Sequence, residues 1–174
     1  MFQINDTVLY GSDGVCKITG MMDKEFGGKR STYYVLKPVY NSATIYVPTD
    51  NQALLGKMRR VLSPEEISHL IESMPDEAVI WYEDETERKE KFKEILLRGD
   101  RVELVKIIKA LYQHQMKQQE KGKRLHVADE RIFKEAERML YDEFALVLNL
   151  EPDQVLGFIM DKIKVEEKPR EHVS

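Results

Sequence analysis

Residues able to do covalent chemistry are few, and their spacing does not favour it. His69, His114, His126 and His172 stand far apart, and none lies close to Cys16, the single cysteine. No two sit at the i,i+4 spacing that would put two ligands on one helical face, so no zinc motif is present. The paired acids Glu65–Glu66 and Asp129–Glu130 fall in first turns of predicted helices, where negative charge complements the helix dipole. Gly27-Gly28-Lys29 has Asp23 where a phosphate loop needs glycine, and Arg30 where it needs Ser or Thr, so a hairpin turn is expected there. No nucleophile elbow or dinucleotide fingerprint occurs. Nothing therefore assembles a recognisable active site, and no cofactor is expected.

Binding chemistry is more evident. Arg88 to Arg124 holds 12 Lys/Arg against 5 Asp/Glu, while Val61 to Glu87 holds 9 acids and no Lys or Arg. The chain as a whole carries a net charge of −4. Charge segregated in this way fits a polyanion or an acidic protein surface, and equally a solvated helical face. Arg88, Lys89, Lys91, Lys93, Lys121, Lys123 and Arg124 could neutralise phosphates, which positions a protein on DNA without reading sequence. Trp81, the single tryptophan, precedes this run. It can be a core anchor or an aromatic wedge at an unstacked base step.

The elements that must carry these residues change character near residue 60. Thr7–Tyr10, Val15–Met21, Thr32–Leu36 and Thr44–Val47 are rich in β-branched and aromatic residues, and turn residues separate them. Short antiparallel strands at this spacing predict a small curled sheet or barrel over residues 1–57. Lys57-Met58-Arg59-Arg60 reads as a join. Ser63-Pro64-Glu65-Glu66 is a helix start with a capping box. A second helix is expected from about Asp84 to Arg98, with Phe92, Ile95 and Leu96 inward. Gly99 should stop it, and Asp100 should cap a third with Val102, Val105, Ile108 and Tyr112 inward. Helices from about Val127 to Leu148 and from about Pro152 complete a helical module over 61–163. A charged, disordered tail is expected over 164–174. The fold class is thus α+β, a β module followed by about five helices. No apolar run is long enough to cross a membrane. The N-terminus lacks the features of a signal peptide, and the lone cysteine fits a reducing, cytoplasmic setting.

Several stretches together resemble the CarD family of bacterial transcription regulators in its CdnL-like form. They are Phe2-x-Ile4-Asn5-Asp6-x-Val8-Leu9-Tyr10, Gly14-Val15, Tyr34-Val35-Leu36 and Thr44-Ile45-Tyr46-Val47-Pro48. Further along come Gly99-Asp100, Leu104-Val105-Lys106 and Ala136-x-x-Met139-Leu140-x-x-Glu143. The resemblance implies a Tudor-like RNA-polymerase-interacting domain, followed by a helical DNA-binding domain. Such proteins add an edge strand to a sheet of the polymerase β subunit, which is β-augmentation. The matching strand is Thr44, Ile45, Tyr46 and Val47. The family often carries a basic residue at the positions of Lys24 and Tyr46, so Lys24 conforms and Tyr46 departs. The resemblance further implies that Trp81 wedges at the upstream edge of the melted promoter bubble and stabilises the open complex. Binding to promoter DNA would be weak and largely independent of sequence, and a monomer is expected. The spacing from Trp81 to Gly99 is longer than in better-known members, with Glu83, Asp84, Glu85 and Glu87 inserted. A protein-only adaptor without DNA contact is the alternative.

Overall fold

The computed structural model describes the backbone of residues 2–171 and their side chains, apart from those of Ser12 and residues 164–171. The chain forms two compact units, which divide between Val61 and Leu62.

In the first unit β1 (Thr7–Tyr10), β2 (Val15–Phe26), β3 (Lys29–Pro38), β4 (Ile45–Pro48) and β5 (Met58–Arg60) form one antiparallel sheet. Its order is β4-β3-β2-β1-β5, so the sheet is open, with β4 and β5 as edges, and is not closed into a barrel. Two-residue periodicity explains its core. Val8 and Tyr10, Cys16 and Ile18, Tyr34 and Leu36, Val47 and Met58 all point to one face and are buried there. α1 (Gln52–Leu55), capped by the Asn51 side chain, adds Leu54 and Leu55 to that face. Gly27 and Gly28 have φ of 59° and 78°, values that favour glycine, and they close the β2–β3 hairpin as expected.

Two local features depart from the sequence reading. The stretch Met58–Arg60 is not merely a join but the edge strand β5, paired with β1. Three residues are too few for a visible alternation, and only long-range pairing defines them. The second feature is a bulge at Thr19, where the register steps from Ile18↔Leu36 to Gly20↔Val35. The extra residue reverses the phase of β2. Before it, Cys16 and Ile18 face the core; beyond it, Met22, Lys24 and Phe26 face away.

Among the described residues the second unit holds five α-helices: α2 (Pro64–Ser73), α3 (Glu85–Arg98), α4 (Arg101–Glu120), α5 (Val127–Leu148) and α6 (Val155–Glu171). Local chemistry sets most of the boundaries. Ser63 and Glu66 form the reciprocal capping box of α2, with bonds of 3.2 and 3.1 Å. Asp84 caps α3 by accepting from the Glu87 N–H at 2.9 Å, and Asp100 caps α4 by accepting from Glu103 at 3.0 Å. Gly99, at φ 65°, ends α3 in the left-handed conformation, so the two helices meet across two residues.

α4 does not bury the single stripe expected of it. Val105 is buried, but Val102 and Tyr112 are exposed, and the buried face is Leu104, Val105, Ile107, Ala110 and Leu111. The helix serves two clusters at once. Ile107 and Leu111 pack with Phe92, Ile132 and Phe133, whereas Val105 packs with Ile67, Ile71, Leu140 and Phe144. A helix flanked on two sides buries a broad arc rather than one row. On α3 the expected Phe92 and Ile95 are buried and Leu96 is half-buried. α6 continues as helix to Glu171. The backbone of the tail expected to be disordered over 164–174 is thus helical as far as Glu171, and residues 172–174 lie outside the described ones.

Candidate functional site

The first candidate surface is the β4 edge. Val47, fully buried, anchors this strand to the core, and the part-buried Ile45 packs beside it. The phase of its hydrogen bonding follows from the Thr49 N–H, which donates to the Thr32 carbonyl at 2.9 Å. Pairs in an antiparallel ladder alternate, so Ile45 and Val47 face β3. The N–H and C=O of Tyr46 therefore point out of the sheet. Pro48 shares that outward phase, where its missing N–H costs no ladder bond. Thr44 lies just before the strand, and its side chain is exposed.

Tyr46 also projects on the outer face of the sheet, where the bulge at Thr19 has delivered Lys24. The Lys24 Nζ lies 4.0 Å from the centroid of the Tyr46 ring and 5.5 Å from that of Phe26. Tyr33 meets Phe26 and Tyr46 edge-on, at 5.4 and 6.5 Å. Tyr46, where the resemblance leads one to expect a second cation, instead presents a ring to the Lys24 ammonium. Sequence reasoning named both residues but could not pair them, because the pairing depends on the bulge.

The second candidate surface is the basic run. Lys89, Lys91 and Lys93 are exposed on α3, and Lys121, Lys123 and Arg124 are exposed in the turn between α4 and α5. At about 100° per residue, Lys89 and Lys93 share a flank of α3 and Lys91 falls on the opposite one. The three lysines do not form one stripe.

Arg88 must be removed from this set. It is only 3% exposed. Its Nε and Nη2 donate to the two carboxylate oxygens of Asp129 at 3.0 and 2.7 Å. Its Nη1 donates to the carbonyls of Tyr82 at 2.9 Å and Glu83 at 3.4 Å. This bidentate pair joins the start of α3 to the start of α5, and hydrogen bonding to Asp129 raises the guanidinium pKa further. Asp129 does stand in the first turn of α5 as expected, yet its main partner is 41 residues away. Every other basic side chain in the run looked equally solvated in the sequence. Only the turn that places residue 88 on the Phe92–Ile95 face distinguishes it.

Trp81 is half-buried against the cluster that contains Phe92 and Ile132. Its ring lies 4.5 Å from the His114 ring, tilted by 36°, and 6.2 Å from Phe92 in an edge-on contact. The Arg88 Cζ stands 4.5 Å from the indole centroid. Burial, and then the charge of Arg88, hold the His114 pKa below its ordinary value. Beside this group lie the exposed acids Glu83, Asp84, Glu85 and Glu87. Glu85 faces His126 at 3.2 Å.

A third feature, Glu143, is 1% exposed. It accepts from Arg101 Nε and Nη2 at 2.7 and 2.6 Å and from the Leu62 N–H at 2.8 Å. This ties the first residue of the helical unit to α4 and α5. Burial pushes the Cys16 thiol up to about 11, which makes it a poor nucleophile. Among the described residues no group of His, Cys, Asp and Glu could hold a metal ion, and no helix is long and apolar enough to cross a membrane.

Comparison with known proteins bears on both units. Residues 2–62 match the family model described as CarD-like/TRCF RID domain. Over 162 residues the chain is 24% identical to "Putative transcription factor YdeB" of Bacillus subtilis (strain 168), which covers 91% of this chain and 99% of that protein.

Proposed function

From an N-terminal unit that matches the CarD-like/TRCF RID domain, we propose a transcription regulator that docks on RNA polymerase and acts on promoter DNA. The first unit would bind the polymerase β subunit by adding β4 to a sheet of that subunit. The observation that carries this reading is the open β4 edge, with the outward N–H and C=O of Tyr46 beside Lys24. An unpaired edge is the template that β-augmentation requires. The helical unit would contact promoter DNA near the upstream edge of the bubble. Trp81 would act at the junction, with Lys89 and Lys93 on one flank of α3, and Lys121, Lys123 and Arg124 in the turn after α4, facing phosphate. The outcome would be a longer-lived open complex. Similarity to YdeB along nearly the full length of both chains supports a role in transcription.

A polymerase-tethered module needs little intrinsic affinity, because docking raises its effective concentration at the promoter. The net charge of −4 is therefore compatible with DNA contact. The decisive experiment is the lifetime of the open complex formed by purified polymerase, with and without the full chain. Lengthening is expected, and an unchanged lifetime refutes the mechanism. If roughly four phosphates are neutralised, log K for DNA should fall with log salt at a slope of about −3.6.

One observation favours a second reading, a protein-only adaptor. Four exposed acids, Glu83, Asp84, Glu85 and Glu87, follow Trp81 in the chain, and Arg88 is withdrawn into the core. Polymerase binding with no salt-sensitive DNA contribution, even in the ternary complex, would establish that reading instead.

A further inference from the structure

Trp81 lies in an irregular segment between α2 and α3, where neither helix nor strand fixes a side chain. A large aromatic ring in such a place ordinarily samples several rotamers. Here three residues from two helices bear on it: Arg88 and Phe92 from α3, and His114 from α4. We infer that Arg88 and His114 are positioning residues, which clamp the Trp81 indole in one orientation for insertion at a DNA base step. This rests on the reading of Trp81 as the DNA-facing residue.

The Arg88 guanidinium has no freedom, because Asp129 holds it from α5 through two bonds of 3.0 and 2.7 Å. The same guanidinium binds the carbonyl of Tyr82, the residue immediately after the tryptophan, at 2.9 Å. One buried group thus fixes both the ring of Trp81 and the backbone that follows it. The His114 imidazole, tilted by 36°, adds a second planar surface at 4.5 Å. A side chain ordered before contact loses less freedom on binding, so it acts more effectively. The arrangement also joins the two roles open to Trp81. Its half-burial against Phe92 is how the fold holds it, and its remaining exposure is what it can offer to a base.

This inference makes Arg88 functional without making it a phosphate contact. The longer spacing from Trp81 to Gly99 leaves the clamp intact, because α3 begins at Glu85 and carries Arg88 back beneath the ring.

Because Trp81 is the chain's single tryptophan, intrinsic fluorescence reads its surroundings alone. The test uses the full chain with His114→Ala, His114→Phe, Arg88→Lys and Trp81→Ala. His114→Ala should keep the far-UV circular dichroism of the parent. Its emission should shift to longer wavelength, its quenching by acrylamide should rise about twofold or more, and the open-complex lifetime should fall several-fold. His114→Phe, which restores a flat ring, should recover both readouts. Arg88→Lys keeps the charge but loses the fork and the planar face, and should resemble His114→Ala. Unchanged emission and quenching in both His114→Ala and Arg88→Lys would overturn the clamp. A fluorescence change with an unaltered lifetime, where Trp81→Ala does shorten it, would overturn the positioning role alone. If Trp81→Ala leaves the lifetime unchanged, the DNA-facing reading fails, and the positioning role falls with it.

Discussion

The sharpest energetic prediction concerns the Arg88–Asp129 pair. Both side chains are 4% exposed, and the closest approach is 2.7 Å. Removing one partner from a buried pair leaves the other charged and desolvated, which costs about 3–5 kcal/mol. Arg88→Met does this to Asp129. It also strips a donor from the Tyr82 and Glu83 carbonyls, although water can reach their part-exposed surroundings. For a unit of this size, 1 kcal/mol corresponds to roughly 4 °C in Tm, so Arg88→Met should lower Tm by about 12–20 °C. The double variant Arg88→Met/Asp129→Leu removes both charges and should recover to within ~1 kcal/mol of the parent. Urea unfolding followed by far-UV circular dichroism measures all three variants, Asp129→Leu included. A double-mutant cycle then isolates the coupling, which should reach several kcal/mol. A single variant costing less than ~1 kcal/mol, or a double variant whose loss is the sum of the singles, would refute the claim that this pair is desolvated and mutually dependent.

Further expectations follow from other sites. Ser63→Ala should cost about 1 kcal/mol, because one side of the α2 capping box is lost; thermal unfolding checks it. His114 is held below its ordinary pKa by burial first and by Arg88 next, with Lys117 and His126 adding in the same direction and Asp129 opposing them. The unfolded chain therefore takes up this proton first as pH falls. Stability should be complete above about pH 6.5 and decline below it, and His114→Phe should flatten that part of the profile in urea titrations. Tyr46→Pro deletes an outward N–H without breaking a bond to β3. It should leave the fold intact and abolish binding to the polymerase β subunit in a pull-down with purified proteins. Retained binding would exclude β4 as the docking edge.

Much of the architecture was legible because it depends on residues close together in sequence. Ser63 with Glu66, Asp84 with Glu87, Gly99 with Asp100 and Gly27 with Gly28 each decide a boundary within about four residues, and the structure follows them. The alternation read over Val15–Met21 likewise carries Cys16 and Ile18 to the core face of the sheet, as far as the bulge. The order of the strand-rich and helix-rich halves was likewise visible.

Tertiary structure alone decided which charges are available. In the sequence, Arg88 is one of several cations in a basic run; folding pairs it with Asp129 from another helix and turns it into a core group beneath Trp81. A single extra residue at Thr19 reverses the phase of β2 and carries Lys24 to the ring of Tyr46. Val102 and Tyr112 look buried by periodicity, yet they remain exposed, Tyr112 because the face it shares with Val105 and Ile108 opens there into a groove. Helix caps and turns are short-range hydrogen bonds that the chain writes locally. Burial of a charge, the phase of a strand beyond a bulge and the occupied arc of a helix depend on partners tens of residues away, and these exist only once the chain has folded.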